Sequence, residues 1–590
     1  MAGVEYHRPS ADALEQLGLA HHARFAFSDD RADVDQAVAR LDEALASTVP
    51  ADPSRAERAA RLGSALRARF ERYDGSADLE QAVTAYRDAV ALTAADDPAL
   101  SQHLVALSEA LRRRGARAGT PTDLDSAVSL ANEAARVASE PGTRAMCLSN
   151  LSTTLSARFD LSADPADLDS AVAYGREAVA ACPAEHGARA GILGNHGAVL
   201  KLRFDHYASL TDLREAIQVC QDAVSADGSE PGVNLSNLGA VLLARFEHLD
   251  EPSDLEAAVD AARRAVDSLP ADHPARPRFL LNLASSLRKR FDQTEQSEDL
   301  DASVHACRQA AAGLADTADR AGALAELASI LIDRFERDGS MDDLEEAIAV
   351  GRSAVDLHSP FHAFALTTTG RALRARCKVT SNLSDLNDAI AVIRRAAGET
   401  PVGHPELAAR LLSLGRALRE RYDVTEDVTD LDEALQSWDR AHTSEAGQAE
   451  VRMRAASERG VMLSRTGLWA LAADAFASAI ALFPLLVWRG IGRSSREARL
   501  AGWTGLTADA AAAAIAVQRA AATTEMLEQG RAILWSQQLQ PQSELSSLQE
   551  VDPLLAGRLS AVRALLGTTD AYRPTVGAQS LSQASEMPVE

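Results

Sequence analysis

The stretch Leu235–Val266, LSNLGAVLLARFEHLDEPSDLEAAVDAARRAV, carries two helical apolar patterns separated by a polar segment. Leu238, Gly239, Leu242 and Phe246 recur at three- and four-residue spacing in its first half, and Leu255, Ala258, Val259, Ala265 and Val266 do so in its second. That period puts each set on one face of a helix. Glu247–Ser253, holding Asp250 and Pro252, reads as a loop between a helix A and a helix B.

The same pattern returns from the N-terminus to about residue 445. With the Phe246 position as anchor, the copies place Phe25, Phe70, Gly115, Phe159, Phe204, Phe246, Phe291, Phe335, Cys377 and Tyr422 in register, 42, 44 or 45 residues apart. The residue before the anchor is Arg in all ten copies, from Arg24 through Arg245 to Arg421, and the residue eight after it is always Asp, from Asp33 through Asp254 to Asp430. Seven before the anchor stands Gly, Ser or Ala, and nineteen after it always Ala, which lets two helices approach closely. The invariant Arg closes helix A and the invariant Asp opens helix B, so each charge complements a helix dipole, and a direct bond between them would join the two helices. Thr122 with Asp125, Ser253 with Glu256, and Thr429 with Asp432 read as capping boxes at the start of helix B. A charged pair repeated ten times reads as structural, not catalytic.

The unit resembles a tetratricopeptide repeat, with Leu238-Gly239 as the helix A pair and Ala258 and Ala265 as the two helix B alanines. It departs from the 34-residue pattern by seven extra residues between Gly239 and Ala258, read here as a long A–B loop present in every copy. The resemblance implies an all-α, right-handed superhelical solenoid in which each unit packs on its neighbours, followed by a C-terminal helical segment. Residues 1–445 form ten extended repeats and residues 446–486 one repeat of standard length.

Aromatic residues are only 4% of the chain, which suits thin helix–helix contacts better than a globular core. The formal net charge of −25 argues against nucleic acid as a partner, since binding it needs a basic face that displaces counterions. Five cysteines without a CxxC pair suggest a reducing compartment and no structural zinc, and the N-terminus lacks the basic and apolar regions of a signal peptide. A cytoplasmic location is therefore expected. Gly467–Trp488 has the length of a membrane span with Asp474 as its single acid, but its register is that of a repeat, so no membrane association is expected.

Residues 487–566 read as a helical linker region: a basic connector, Trp488–Arg499, then Ala-rich helices through about Gln538 and an amphipathic helix, Pro553–Leu566. The tail, 567–590, rich in Ser, Thr, Gln and Pro, is expected to be disordered. The segment LEQGRAILWSQQLQ, Leu527–Gln540, with SSLQEVDPLLAGRLSAVRALL after it, is similar to the stretch that joins repeats to the peptidase in CHAT-domain proteins, a caspase-like family. The DLxxAV repeats resemble those of the same family. A CHAT domain would need a further sheet carrying a His and a Cys nucleophile, and that peptidase is not recognisable in this sequence. His186-Gly187 and His196-Gly197 fall in an inter-repeat segment and in a helix A core position, so neither reads as the peptidase histidine. No catalytic constellation, cofactor or metal is expected, and no P-loop, dinucleotide fingerprint or zinc-protease helix occurs.

Nine before the anchor, four successive repeats carry Asn150, Asn195, Asn237 and Asn282. The tetratricopeptide resemblance places this position on the concave groove, where an asparagine ladder can hold a peptide backbone because an amide both donates and accepts. The alternative, that each amide bonds its own helices or water, stays open. Three before the anchor stand Arg67, Arg112, Lys201, Arg288, Arg374 and Arg419, which read either as a basic groove edge favouring an acidic or extended peptide or as a solvated helix face. The expected function is a non-enzymatic scaffold for a protein or peptide ligand, as the sensor or adaptor part of a system with a separately encoded CHAT-type peptidase. The alternative is a repeat–CHAT protein that has lost its cysteine-peptidase domain.

Overall fold

The computed structural model describes residues 10–486 except 29, 74, 163, 208, 227–230, 274, 315–317, 358 and 360, and then 502–503, 505–521 and 523–528. Every regular element among the described residues is an α-helix. Helix pairs follow one another at the expected registers, from Ala11–Ser28 with Arg31–Ser47 in the first repeat to Leu407–Thr425 with Val428–Thr443 in the tenth. Within most pairs helix A packs along helix B, and helix B packs on the next helix A, which is the all-α solenoid that the repeat predicts. Ala449–Arg465 and Trp469–Ile480 make the eleventh, shorter pair. The basic connector, the linker segment beyond residue 528, the amphipathic helix Pro553–Leu566 and the tail lie outside the described residues.

The chain divides into two compact units, Met1–Arg245 with Ser253–Glu295 and Phe246–Pro252 with Gln296–Glu590. In both, the core is a thin seam. The alanine nineteen after the anchor is buried in every repeat, as in Ala44, Ala134, Ala265, Ala354 and Ala441. The small residue seven before the anchor lies against the side chain sixteen after it: Gly63 against Tyr86, Gly197 against Cys220, Gly370 against Ile393 and Gly415 against the fully buried Trp438. A Cβ at Gly63 or Gly415 would run into a ring, so a large helix B residue requires a glycine opposite it. Where the position is Ser the helices are joined instead by a hydrogen bond, from Ser108 Oγ to the Ala127 carbonyl (2.9 Å) and from Ser152 Oγ to the Ala171 carbonyl (2.7 Å).

The long A–B loop is not there. Helix A of the sixth repeat runs to Leu249 and helix B begins at Pro252, so the extra residues lengthen the helices and leave only Asp250 and Glu251 between them. Where the residue four after the anchor is described, the turn is a left-handed cap: Asp250, Glu295, Ser381 and Glu426 have φ of 55–58°, and Gly119 and Gly339 take the same place. In each, the N–H four after the anchor, or the next one, bonds the anchor carbonyl, as from Glu426 to Tyr422 (2.8 Å) and from Gly339 to Phe335 (2.7 Å). Helix B accordingly starts two residues earlier than the capping boxes suggest. Its N-caps are Asp30, Thr120, Asp164, Ser209, Asn382 and Asp427, while Thr122 and Thr429 already lie inside the first turn.

Across this turn the invariant Arg and Asp meet side on. Arg Nε donates to Asp Oδ2 at 2.6–2.9 Å and Nη2 to Oδ1 in repeat after repeat, among them Arg69–Asp78, Arg114–Asp123, Arg245–Asp254 and Arg421–Asp430. Such a fork is the strong form of a charge-assisted bond. The remaining Nη1 reaches back to helix B of the preceding repeat, as in Arg114 to Glu80 (2.7 Å), Arg158 to Asp125 (3.0 Å) and Arg290 to Glu256 (2.8 Å). The arginine thus joins helix A to helix B and one repeat to the next.

Trp469–Leu486 is apolar and long enough to cross a membrane by composition. It consists of Trp469–Ile480 and the short Phe483–Leu486, and Phe476, Ile480, Phe483 and Leu486 are buried with Met453, Leu506 and Ala513 in one cluster. The five cysteines are free, four buried and Cys377 half-buried, and burial pushes the Cys147 thiol up to about 11 and Cys220 to about 12. Such thiols are core packing, not nucleophiles.

Candidate functional site

Helices A of successive repeats pack on one another, and several candidate residues bridge them. The four asparagines all belong to the first unit. Three hand their amide N–H to the preceding helix A: Asn195 to Ser149 Oγ (3.2 Å), Asn237 to the Gly194 carbonyl (3.2 Å) and Asn282 to Ser236 Oγ (2.7 Å). Each Nδ2 keeps a second hydrogen, and no partner of Oδ1 in these three occurs among the described residues. Asn195 and Asn282 are exposed and Asn237 half-buried. Asn150 is different: it is 7% exposed and its Oδ1 is buried without a partner. The amides are therefore inter-repeat ties first, and Asn195, Asn237 and Asn282 still present one donor and one acceptor outward.

The basic position is interrupted and largely neutralised. His22, Ser156, Leu243 and Ile332 occupy it in the other four repeats. Arg67 bridges Glu71 (3.2 Å) and Glu109 (3.3 Å), Lys201 pairs with Asp205 (2.6 Å), and Arg374 pairs with Glu420 (3.3 Å). Arg112 and Arg419 have no ion pair among the described residues, and the Nε of each is buried without a partner. Burial, then Arg113 close by, lowers the basicity of Arg112; burial, with Arg416 and Arg371 near, does the same to Arg374. Arg288 lies half-buried on helix A of the seventh repeat.

Sequence reasoning missed the partners. Ser149 and Ser236, one residue before the asparagine position, are the acceptors that tie the repeats. Six before the anchor, where most repeats carry a small residue, Glu109, Arg371 and Arg416 are charged, and that break in the column is the signal that would have found them. His196, buried on the same helix as Asn195, hydrogen-bonds Glu215 Oε1 (3.2 Å), and burial holds its pKa below the ordinary histidine value.

A tetratricopeptide repeat model matches residues 320–361 and 407–442. Two stretches of the chain are thus tetratricopeptide-type repeats by sequence. No curated protein matches the chain. Among solved structures the chain is similar to the human IFIT1 dimer with PPP-AAAA, at 11% identity over 73% of this chain and 81% of that one, with a TM-score of 0.40. It is likewise similar to the human IFIT1 dimer with m7Gppp-AAAA, at 12% identity over 73% of this chain and 80% of that one, with a TM-score of 0.41. The likeness concerns the fold. It also corrects one expectation: those helical chains are seen with nucleic acid, so the exclusion of nucleic acid from net charge is withdrawn. The physical reason is that net charge sums the whole surface, whereas a ligand feels the local potential of one cleft.

Proposed function

We propose that the chain is a non-enzymatic repeat scaffold that holds an extended peptide or protein segment along the face where helices A of repeats five to seven meet. The observation that carries this reading is the outward half of the amides of Asn195, Asn237 and Asn282, whose other half is fixed by the preceding repeat. An amide so held has lost its rotamer freedom before a ligand arrives, which lowers the cost of binding. Lys201 and Arg288, at the basic position of the same helices, bias the face toward acidic segments, and Asn150 acts behind the ladder as a buried positional group. The similarity of Leu527–Gln540 to CHAT-protein linkers supports a CHAT-type peptidase as the partner that reads the bound state.

The test starts from peptides selected from a random displayed library on the full chain. The variant Asn195→Ala with Asn237→Ala and Asn282→Ala should weaken them roughly tenfold or more, since three bonds at about 0.5–1.5 kcal/mol each are removed. Ser149→Ala with Ser236→Ala removes the ties of Asn195 and Asn282 while leaving the amides, and should weaken binding by a smaller factor than the asparagine variant, since those two side chains must then be ordered on binding. Unchanged affinity in the asparagine variant would reject the reading.

A further inference from the structure

In the second unit, helices A of repeats nine, ten and eleven, His362–Thr380, Leu407–Thr425 and Ala449–Arg465, gather more cations on their shared face than that face neutralises. Arg416 donates through Nε (2.7 Å) and Nη2 to the single oxygen Glu458 Oε1, leaving Oε2 buried without a partner. Glu420 is shared, with Arg374 Nε at 3.3 Å on Oε2 and Lys378 Nζ at 3.1 Å on Oε1. Arg371 leans the other way, toward Ser329 Oγ (3.4 Å) and Asp333 (3.6 Å) of repeat eight. Arg419, in the same helix position as Arg374, has no counter-ion among the described residues, and its Nε is buried without a partner. In a chain of net charge −25, a local excess of guanidinium groups is not a consequence of composition.

We propose that this face binds the side-chain carboxylates of an acidic peptide segment, with Arg419 making the direct forked contact and Arg371 and Lys378 supplying charge beside it. The choice of carboxylate rests on the molecule itself. Two guanidinium groups of the face, Arg374 and Arg416, are each met by a glutamate of the neighbouring helix A, so the face accommodates this anion. A similar arrangement occurs in the first unit, where Arg67 is met by Glu109 of the next helix A and the following arginine, Arg112, has no ion pair among the described residues. Two adjacent arginines at one helix position, the first neutralised by the chain and the second not, is therefore a repeated construction. A planar guanidinium fork matches a carboxylate in two bonds, which an ammonium cannot do. This inference shares with the proposed function only the idea of a peptide ligand; it concerns other helices and other side chains.

Its test uses the full chain and a fluorescein-labelled decapeptide of alternating Glu and Gly, read by anisotropy at low and at moderate salt. The acidic probe should bind, the corresponding Lys-Gly probe should not, and affinity should fall with salt. Arg419→Ala should weaken the acidic probe at least tenfold and Arg419→Lys by several-fold, because charge remains while the fork is lost. Neither should lower the melting temperature, since no ion pair is broken. The triple asparagine variant should bind this probe as the wild type does, which separates failure here from failure of the ladder. Wild-type affinity in Arg419→Ala, or no binding of the probe at all, would overturn the assignment. So would an Arg419-dependent complex with a ten-nucleotide single-stranded RNA that the acidic peptide does not displace, and that outcome would give the face to phosphate.

Discussion

Two residues in each repeat do the joining, and both were visible as invariant columns. The Arg–Asp fork spans the turn between helices and its third nitrogen reaches the preceding repeat. Hydrogen bonding to Arg114, outweighing partial burial, holds the Asp123 carboxyl below the usual carboxylate range. The sign follows: an acid whose folded pKa is depressed contributes stability that is complete above its unfolded value near 4 and is lost as pH falls through the folded value. A double-mutant cycle on Arg421→Ala and Asp430→Ala should show coupling of about 0.5–3 kcal/mol in urea unfolding, and strict additivity would mean that the two act only on separate helix dipoles. Histidine gives the opposite handle. Burial keeps His196 neutral in the folded chain, more readily deprotonated than in the unfolded one. Its contribution is therefore complete above about pH 6.5 and declines as pH falls from there toward the folded pKa. The stability gap between wild type and His196→Gln should shrink between pH 7.5 and pH 5.5; a gap that does not move would show that folding leaves the His196 pKa unchanged, and one that widens that folding raises it.

At the scale of the element, the helix pair was legible and its connection was not. Periodicity located both helices, and the Gly, Ser or Ala column announced their close approach, because those positions are enforced by packing: Gly415 has no room for a Cβ beside Trp438. The turn was misread because Glu247–Leu249 and Pro252–Asp254 are polar or contain proline, which suggests loop, whereas a proline at the first helical turn and an exposed final turn of helix A are both compatible with helix. The left-handed residue was invisible for a related reason. Gly119 and Gly339 signal it, but Asp250, Glu295, Ser381 and Glu426 adopt the same φ without being glycine. Holding a side chain there costs about 1–2 kcal/mol, partly offset by the lower unfolded-state entropy of a non-glycine residue. Glu426→Gly should thus stabilise the chain by about 0.5–1 kcal/mol in urea unfolding, and Gly339→Ala should destabilise it. A destabilised Glu426→Gly variant would mean that the glutamate side chain has a role the turn geometry does not express.

At the scale of the molecule, the sequence marked the column of asparagines and the column of basic residues but not what the columns do, since that depends on the neighbour one repeat away. Asn195 and Asn282 find Ser149 and Ser236, Arg67 finds Glu109, and Arg419 finds no counter-ion among the described residues. Only stacking reveals which members of a column are consumed in holding the repeats together and which remain to meet a partner. The proposed partner lies on the helix A face. Photo-crosslinking from a selected peptide, with a benzophenone at its centre and the attachment sites read by mass spectrometry, addresses that claim directly. Adducts are expected on helices A of repeats five to seven, within a turn of Asn195, Asn237 or Asn282, and should be lost in the triple asparagine variant. Adducts confined to helices B or to the A–B turns would contradict it.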